Sequence, residues 1–420
     1  MSQRALLEQL FRAALEAVDG ETAVARALSS RSAGDRPVFA VGAGKAACAM
    51  AQGAAAALGS RLRGGLVVTR DGYGFDVAGF EVLEASHPLP DDRGVAAADR
   101  TLEWIRSLDP DADLLVLLSG GASALWTAPV AGVALEHKRD LTDRLLRAGA
   151  PIQDLNAVRK HLSRIKGGGL ACAAGARSVL TLALSDVAGD RLDVIGSGPT
   201  APDPSTYADA LNVLERFKVE APESVRSHLI AGTAGRRPET PGPGDPLFAR
   251  VEHRIVATLE DAVRAALDEA AARGLQTRPL GRVLEGEARI CARRLAEQAR
   301  SGAAGSLKLL AGGGEPTVTV RGPGRGGRAQ EAALAFALAI EGESRIAALF
   351  AGTDGSDGPT DAAGAVVDGS TVARARAAGL DPRTHLDRND SHALLEATGD
   401  LLVTGPTRTN VTDLVLIALG

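Results

Sequence analysis

The chain has 420 residues, 45% of them hydrophobic, enough for two domains with cores of their own. A formal charge of -5 supplies no broad basic field, which argues against nucleic acid as a partner and leaves any small anion to local basic side chains. No run of eighteen apolar residues occurs, so no membrane span is expected; Cys48, Cys172 and Cys291 are too few and too scattered for a disulfide framework or a CxxC metal site, and a reducing, cytoplasmic setting is expected.

The first elements already combine scaffold and chemistry. Leu6, Leu7, Leu10, Phe11, Ala14, Leu15 and Val18 share one stripe, which reads as an amphipathic helix rather than a signal peptide. A strand over residues 37–41 then runs into Gly42, Gly44 and Lys45 and on into an alanine-rich helix. This is no Walker A loop, because Phe39 and Ala46 stand where glycine and Ser or Thr are needed; Gly42, Gly44 and Ala47 do satisfy the weak dinucleotide pattern GxGxxA. Lysine in a first helical turn opposes the helix dipole by about 0.3–1 kcal/mol, so Lys45 makes most sense if an anion shares that N-terminus. Only six of the 47 basic side chains are lysines, and Lys45, Lys160 and Lys166 lie in or beside glycine motifs.

Strands over 66–69 and 80–84 follow; His87, before a proline, reads as structural or supporting. The apolar run 114–118 reads as a fully covered central strand, ending in Ser119, Gly120, Gly121 and Ser123, hydroxyl and backbone donors at a strand's carboxyl end. A basic helix with Arg159, Lys160, Arg164 and Lys166 precedes a strand over 179–184, which closes in a loop holding Asp186, Asp190 and Asp193. Such carboxylates suit Mg²⁺, with turn capping as the competing account. Residues 238–246 have the proline and glycine density of a linker, and the domain boundary is expected there.

Beyond it, α/β alternation continues to a strand over 307–311 and then GGGEPTVTVRGPGRGGRAQE, residues 312–331. Glycines with Arg321, Arg325, Arg328 and Glu315 have the composition of an anion cradle, since glycine lets backbone N–H groups approach and guanidinium forks match oxyanions. A glycine-rich hairpin with a solvated arginine tip is the alternative. The strand over 345–351 ends in a loop with Asp354, Asp357 and Asp361, which lacks the glutamate and flanking helices of an EF-hand. A last donor loop with Thr404, Gly405 and Asn410 leads to a final strand.

In order, GAGKAA, LLSGGASAL, SDVAGDRLDVIGSGPTAPDPST, GGGEPTVTV, GRGGRAQE, AGTDGSDGPTDAAGA and TGPTRTNVTDL resemble the glycerate 2-kinases of the MOFRL type over nearly the whole chain. The resemblance implies an α/β protein of two domains, a larger Rossmann-like N-terminal one with a mostly parallel sheet (1–237) and a smaller α/β C-terminal one (247–420, MOFRL-type region about 305–415), with the site in the cleft between them. It implies ATP-dependent phosphorylation of D-glycerate at the 2-hydroxyl, giving 2-phosphoglycerate and ADP, with Mg²⁺ or another divalent cation. Glycerate and ATP are the expected partners, and a homodimer is compatible. Lys45 and Arg328 are then expected to bracket the transferring phosphate or the glycerate carboxylate, with Arg325 as helper. Gly42, Gly44, the 119–123 loop and Gly312, Gly313 and Gly314 are expected around the nucleotide, with Asn410 among the donors. Asp186 with Asp190, or Glu315 with Asp354, are the alternatives for the metal, Asp357 being a further metal candidate, and one carboxylate left over, with Asp186 in the catalytic set, orients or deprotonates the hydroxyl. Ala329 and Arg388 stand where the family usually shows Asn, Arg408 where Gly is usual, and Thr412 where Asn is usual. The alternative from another class is a NAD(P)H-dependent hydroxypyruvate reductase, on the strength of the GxGxxA match.

Overall fold

The computed structural model describes residues 2–30, 35–302 and 308–420. Leu307, the expected start of one strand, lies outside them. The chain forms two compact units, one of residues 20–256 and one that joins the first 19 residues to 257–420.

The 20–256 unit carries a six-stranded sheet built from β1 (Val38–Ala43), β2 (Leu62–Arg70), β3 (Phe80–Ala85), β4 (Asp113–Leu118), β5 (Ser178–Leu184) and β6 (Val251–Ala257), in the order β3-β2-β1-β4-β5-β6. The pairs from β3 to β5 are parallel. β1 and β4 lie innermost and are almost wholly buried, as continuous apolar runs require when helices cover both faces. Their carboxyl ends bring the 42–45 and 119–123 turns side by side, the place where open α/β sheets bind ligands.

In the other unit β7 (Gln276–Glu287), β8 (Lys308–Thr317), β9 (Ile346–Gly352), β10 (Gly364–Asp368), β11 (Leu401–Leu402) and β12 (Asp413–Leu419) form a sheet ordered β11-β10-β9-β12-β8-β7. β7 and β8 are parallel, whereas the pairs of β12 with β8 and β9, of β9 with β10 and of β10 with β11 are antiparallel. Helix Arg328–Ala339 packs on β9 and β10 through a side buried around Phe336, whose ring meets that of Phe350 at 5.4 Å.

The units differ from the expected division at 237/247. The amphipathic helix Gln3–Ala17 forms, but it packs on helix Leu259–Ala272 and β9. Leu7, Leu10 and Phe11 are buried there, at about 1.5–3 kcal/mol each, and Arg4 donates to the carbonyls of Gly399 and Leu401. The proline-rich segment 238–246 is no boundary either. Glu239 accepts from the Tyr207 N–H and bonds His161, Thr240 donates to Asp203, and β6 beyond it joins the first sheet. Pro and Gly density there marks irregular backbone stitched to its own unit by side chains.

Candidate active site

In the 20–256 unit, the turn after β1 is locked to the turn after β4. The Lys45 N–H donates to the Gly120 carbonyl at 2.9 Å, the Ala46 N–H to Ser119 Oγ at 3.0 Å, and the Ser119 N–H to the Ala43 carbonyl at 3.1 Å. Gly44 sits at φ +134°, and a Cβ there would fall 2.1 Å from Ser119 Oγ, so glycine is needed for packing of the two turns. Gly42 lies inside β1, paired with Val67 and Leu117. These glycines therefore serve the sheet, and the first N–H groups expected to meet an anion at this helix are spent internally: Ala47 N–H bonds the Gly44 carbonyl. The N–H groups of Gly120 and Gly121, by contrast, find no acceptor among the described residues and remain as donors at the β4 end. A Cβ on Gly121 would lie 3.1 Å from the His87 ring and 3.5 Å from Lys45 Cγ, which places both His87 and Lys45 against that turn. Ser123 opens toward Lys166, which donates to its carbonyl at 2.7 Å and its hydroxyl at 2.6 Å.

Asp186 and Asp190 follow the end of β5, as expected. Asp190 has φ +53° and a buried Oδ1 with no hydrogen-bond partner. A buried carboxylate oxygen without a partner, in a strained residue, is one that a divalent cation could satisfy, so Asp190 fits such a ligand. Asp193 pairs with Arg191 and Lys160.

In the other unit the arginine is the organising group. Arg328 opens the helix Arg328–Ala339 and forms a fork with Asp413, Nε to Oδ2 at 2.6 Å and Nη2 to Oδ1 at 3.0 Å, while Nη1 donates to Glu315 Oε1 at 2.6 Å. Burial alone would lower the Arg328 pKa, but the charge of Asp413 and its bonds outweigh burial, helped by Glu315 and Asp357, and the net shift is upward. Asp413 is itself pushed up by burial, against Arg328, with Glu315 and Asp354 pushing the same way as burial. Asp413 and Glu315 thus share one guanidinium, with the charge of Asp357 close by.

Asp357 has a different task from the one expected. Its oxygens accept the N–H groups of Ala329 at 3.0 Å and Gln330 at 2.8 Å and the Gln330 amide at 3.0 Å, so it caps the helix that carries Arg328. Burial, then the charge of Asp413, raises it to about 7, against those bonds. Three of its roughly four acceptor positions are used in this cap. Asp354 accepts the Ser356 N–H at 2.9 Å, and Glu315 is more than half exposed. No group of three metal-ligating side chains occurs among the described residues. A nucleotide-bound Mg²⁺ needs only one or two carboxylates, and Glu315 and Asp354 both act on the buried Asp413.

Gly312, Gly313 and Gly314 do not form a phosphate loop. They lie in β8 between β12 and β7, and a Cβ on Gly313 would meet the Asp413 carbonyl at 2.3 Å. The following stretch is not a hairpin. Asn389 Oδ1 accepts the N–H groups of Arg321 and Gly322, and Asp390 accepts that of Arg325. Arg325 is exposed, its Nη2 reaching the Pro359 carbonyl at 3.4 Å. Asn410 is buried just ahead of β12. Thr412 beside it has φ +76° and a buried hydroxyl without partner, and Arg408 has φ +67°, at the two positions where Asn and Gly are usual. Asp413 and Asn389 escaped the sequence reading. The only signal was a charge set against an apolar strand in one case and an Asn-Asp pair in the other.

Comparison with known proteins agrees over the full length. A domain of unknown function, DUF4147, matches residues 6–230, and the MOFRL family matches 308–413. The chain is 41% identical to the D-glycerate 2-kinase of Thermotoga maritima, over 99% of this chain and 98% of that one. It is 42% identical to a protein of Agrobacterium vitis provisionally named hydroxypyruvate reductase, over 100% and 95%. The crystal structure of the Thermotoga maritima glycerate kinase superposes with a TM-score of 0.87 at 40% identity, covering 99% of each chain. With both halves matched in order, the chain belongs to the glycerate kinase family of the MOFRL type.

Proposed function

We propose that the protein phosphorylates D-glycerate at the 2-hydroxyl with ATP, giving 2-phosphoglycerate and ADP. The observation that carries this reading is the end-to-end similarity to the Thermotoga maritima D-glycerate 2-kinase. Phosphoryl transfer asks little covalent help of a protein and much positioning and charge neutralisation. The 2-hydroxyl oxygen attacks the γ-phosphorus, the bond to the bridging oxygen of ADP breaks, and the hydroxyl proton leaves. In this reading Asp186 orients the hydroxyl and takes that proton. The Lys45 ammonium and the Arg328 fork each oppose negative charge, on the transferring phosphoryl or the glycerate carboxylate. Gly120 and Gly121 offer N–H donors to phosphate oxygens, with Ser119 and Ser123 framing their turn. Asp190, or Glu315 with Asp354, would hold a divalent cation, which when bound neutralises phosphate oxygens of the nucleotide. The enzyme so described acts on small molecules and belongs in the cytoplasm, where ATP is at hand; light scattering separates monomer from homodimer.

A nicotinamide-dependent hydroxypyruvate reductase is the second reading, favoured by the name of the Agrobacterium vitis relative. Against it stands the turn at Gly42–Ala47, whose Lys45 and Ala46 N–H groups already bond Gly120 and Ser119, leaving a pyrophosphate little backbone to bind. Incubation with D-glycerate, ATP and Mg²⁺, with the product read by NMR, tests the proposal beside a parallel run of hydroxypyruvate with NADH or NADPH. Phosphate on C2 is expected. Nicotinamide oxidation without phosphoryl transfer would overturn the proposal.

A further inference from the structure

A cavity of about 510 Å³ in the 20–256 unit opens beside the 119–123 turn. Its floor carries Lys138, Arg159 and Lys166, and His87 and Gly121 close the side toward Lys45. Lys138 and Lys166 are only 7% and 2% exposed. Neither has a carboxylate partner among the described residues: Lys138 donates to the Leu162 carbonyl at 3.2 Å, and Lys166 to the two oxygens of Ser123. Arg159, half-buried, finds no acceptor among them at all. The contrast lies within the same helix. Lys160, just as buried, is matched by Asp203 at 3.2 Å and Asp193 at 3.6 Å, and in the other unit the buried Arg289 is matched by Glu331 at 2.9 Å. Asp143, the one carboxylate on the cavity wall, pairs with Arg147 at 2.8 Å on the exposed side of its helix.

Burying cations with neutral dipoles as their only partners is costly, and proteins pair them or use them. Burial, then the charges of Arg159 and Arg164, pushes Lys138 down to about 7. Burial, then Lys138 and Arg159, pushes Lys166 well down as well. A group with several acceptor oxygens would match these side chains. Leu89 and Leu146, both more than half exposed, flank the opening with apolar surface, so the rest of a ligand can lie against carbon while its charged end reaches the floor.

We infer that Lys138, Arg159 and Lys166 form an oxyanion subsite that takes the charged end of a substrate, the carboxylate of the hydroxy acid or a phosphate of the nucleotide. The inference rests on the kinase reading for the identity of those two ligands. Titration calorimetry of the full chain with D-glycerate, and separately with the non-hydrolysable analogue AMP-PNP, reads the subsite without turnover. Arg159→Gln and Lys138→Met are each expected to weaken at least one ligand by about tenfold or more, and the ligand that weakens names the source of the oxyanion. Thermal melting serves as the control for folding, and Lys138→Met is expected to melt no lower than wild type, because it removes a buried charge. Wild-type affinity for both ligands in folded Arg159→Gln overturns the inference, as does binding of neither ligand by the wild type. A wild type that binds but does not phosphorylate sinks the kinase reading and leaves the subsite standing.

Discussion

Arg328 binds Asp413 through two nitrogens and Glu315 through a third, so both its geometry and its charge are set by partners that a shorter or rounder cation cannot satisfy. Arg328→Lys is expected to lower kcat with glycerate and ATP by on the order of a hundredfold while the fold persists; a change of less than about threefold in steady-state assays would remove the fork from the reaction. Lys45 stands at a turn fixed by backbone bonds that its side chain does not make. Lys45→Ala should therefore keep the wild-type melting profile and lose activity by a similar factor, and near-normal turnover would exclude it from the site. Thr412 is a β-branched residue at φ +76° whose hydroxyl has no partner, so the strain there is not offset by a bond. Thr412→Asn is expected to stabilise by about 1 kcal/mol in chemical denaturation, because Asn tolerates the left-handed region.

At the scale of elements, glycines and caps decide where the charged side chains stand. β8 runs so close to β12 that Gly313 faces the Asp413 carbonyl and the Leu259 side chain, each under 3 Å from where a Cβ would be. Gly313→Ala is expected to cost about 1–3 kcal/mol and to displace the Arg328 anchor, so stability and turnover should fall together; a stable, fully active variant would show that β12 can yield. The helix that opens with Arg328 is capped by Asp357 from a loop nearly thirty residues later in the chain, and the preceding loop is clamped by Asn389 and Asp390. These are long-range side-chain to backbone bonds. No local pattern announces them, which is why Gly312 to Gly314 read as a cradle and the capping role of Asp357 was not foreseen.

At the scale of the whole molecule, the cavity lysines link pH to stability. The Lys138 pKa is depressed in the folded state, so between about 7 and its ordinary value near 10.5 the unfolded chain binds a proton that the native chain does not. The contribution is present above 10.5 and is lost as pH falls through 7. Arg159 and Arg164 press on it with positive charge, and Arg139, Lys166, His87 and the carboxylate of Asp143 line the same cavity. The ligand-free protein is expected to melt higher at pH 9 than at pH 7, and Lys138→Met should flatten that rise; an equal slope in the variant would dissociate the lysine from it. Much of this molecule was legible in the amino-acid sequence. Continuous apolar runs predicted β1, β4, β5, β9 and β12, and the glycine- and aspartate-rich ends of those runs predicted where turns would be, because burial on both faces and tight turns each impose a local composition. Lys45 and Arg328 drew notice through the motifs around them, and their roles rest on the proposed function. Tertiary structure alone decided that the first helix joins the 257–420 unit, that β6 closes the first sheet, and that Asp413 and Asn389 serve the Arg328 loop. It also decided that three cations share a cavity without a carboxylate to match them. Periodicity records which face of an element is covered; which partner covers it, and which charge is left unmatched, depends on contacts between residues far apart in the chain.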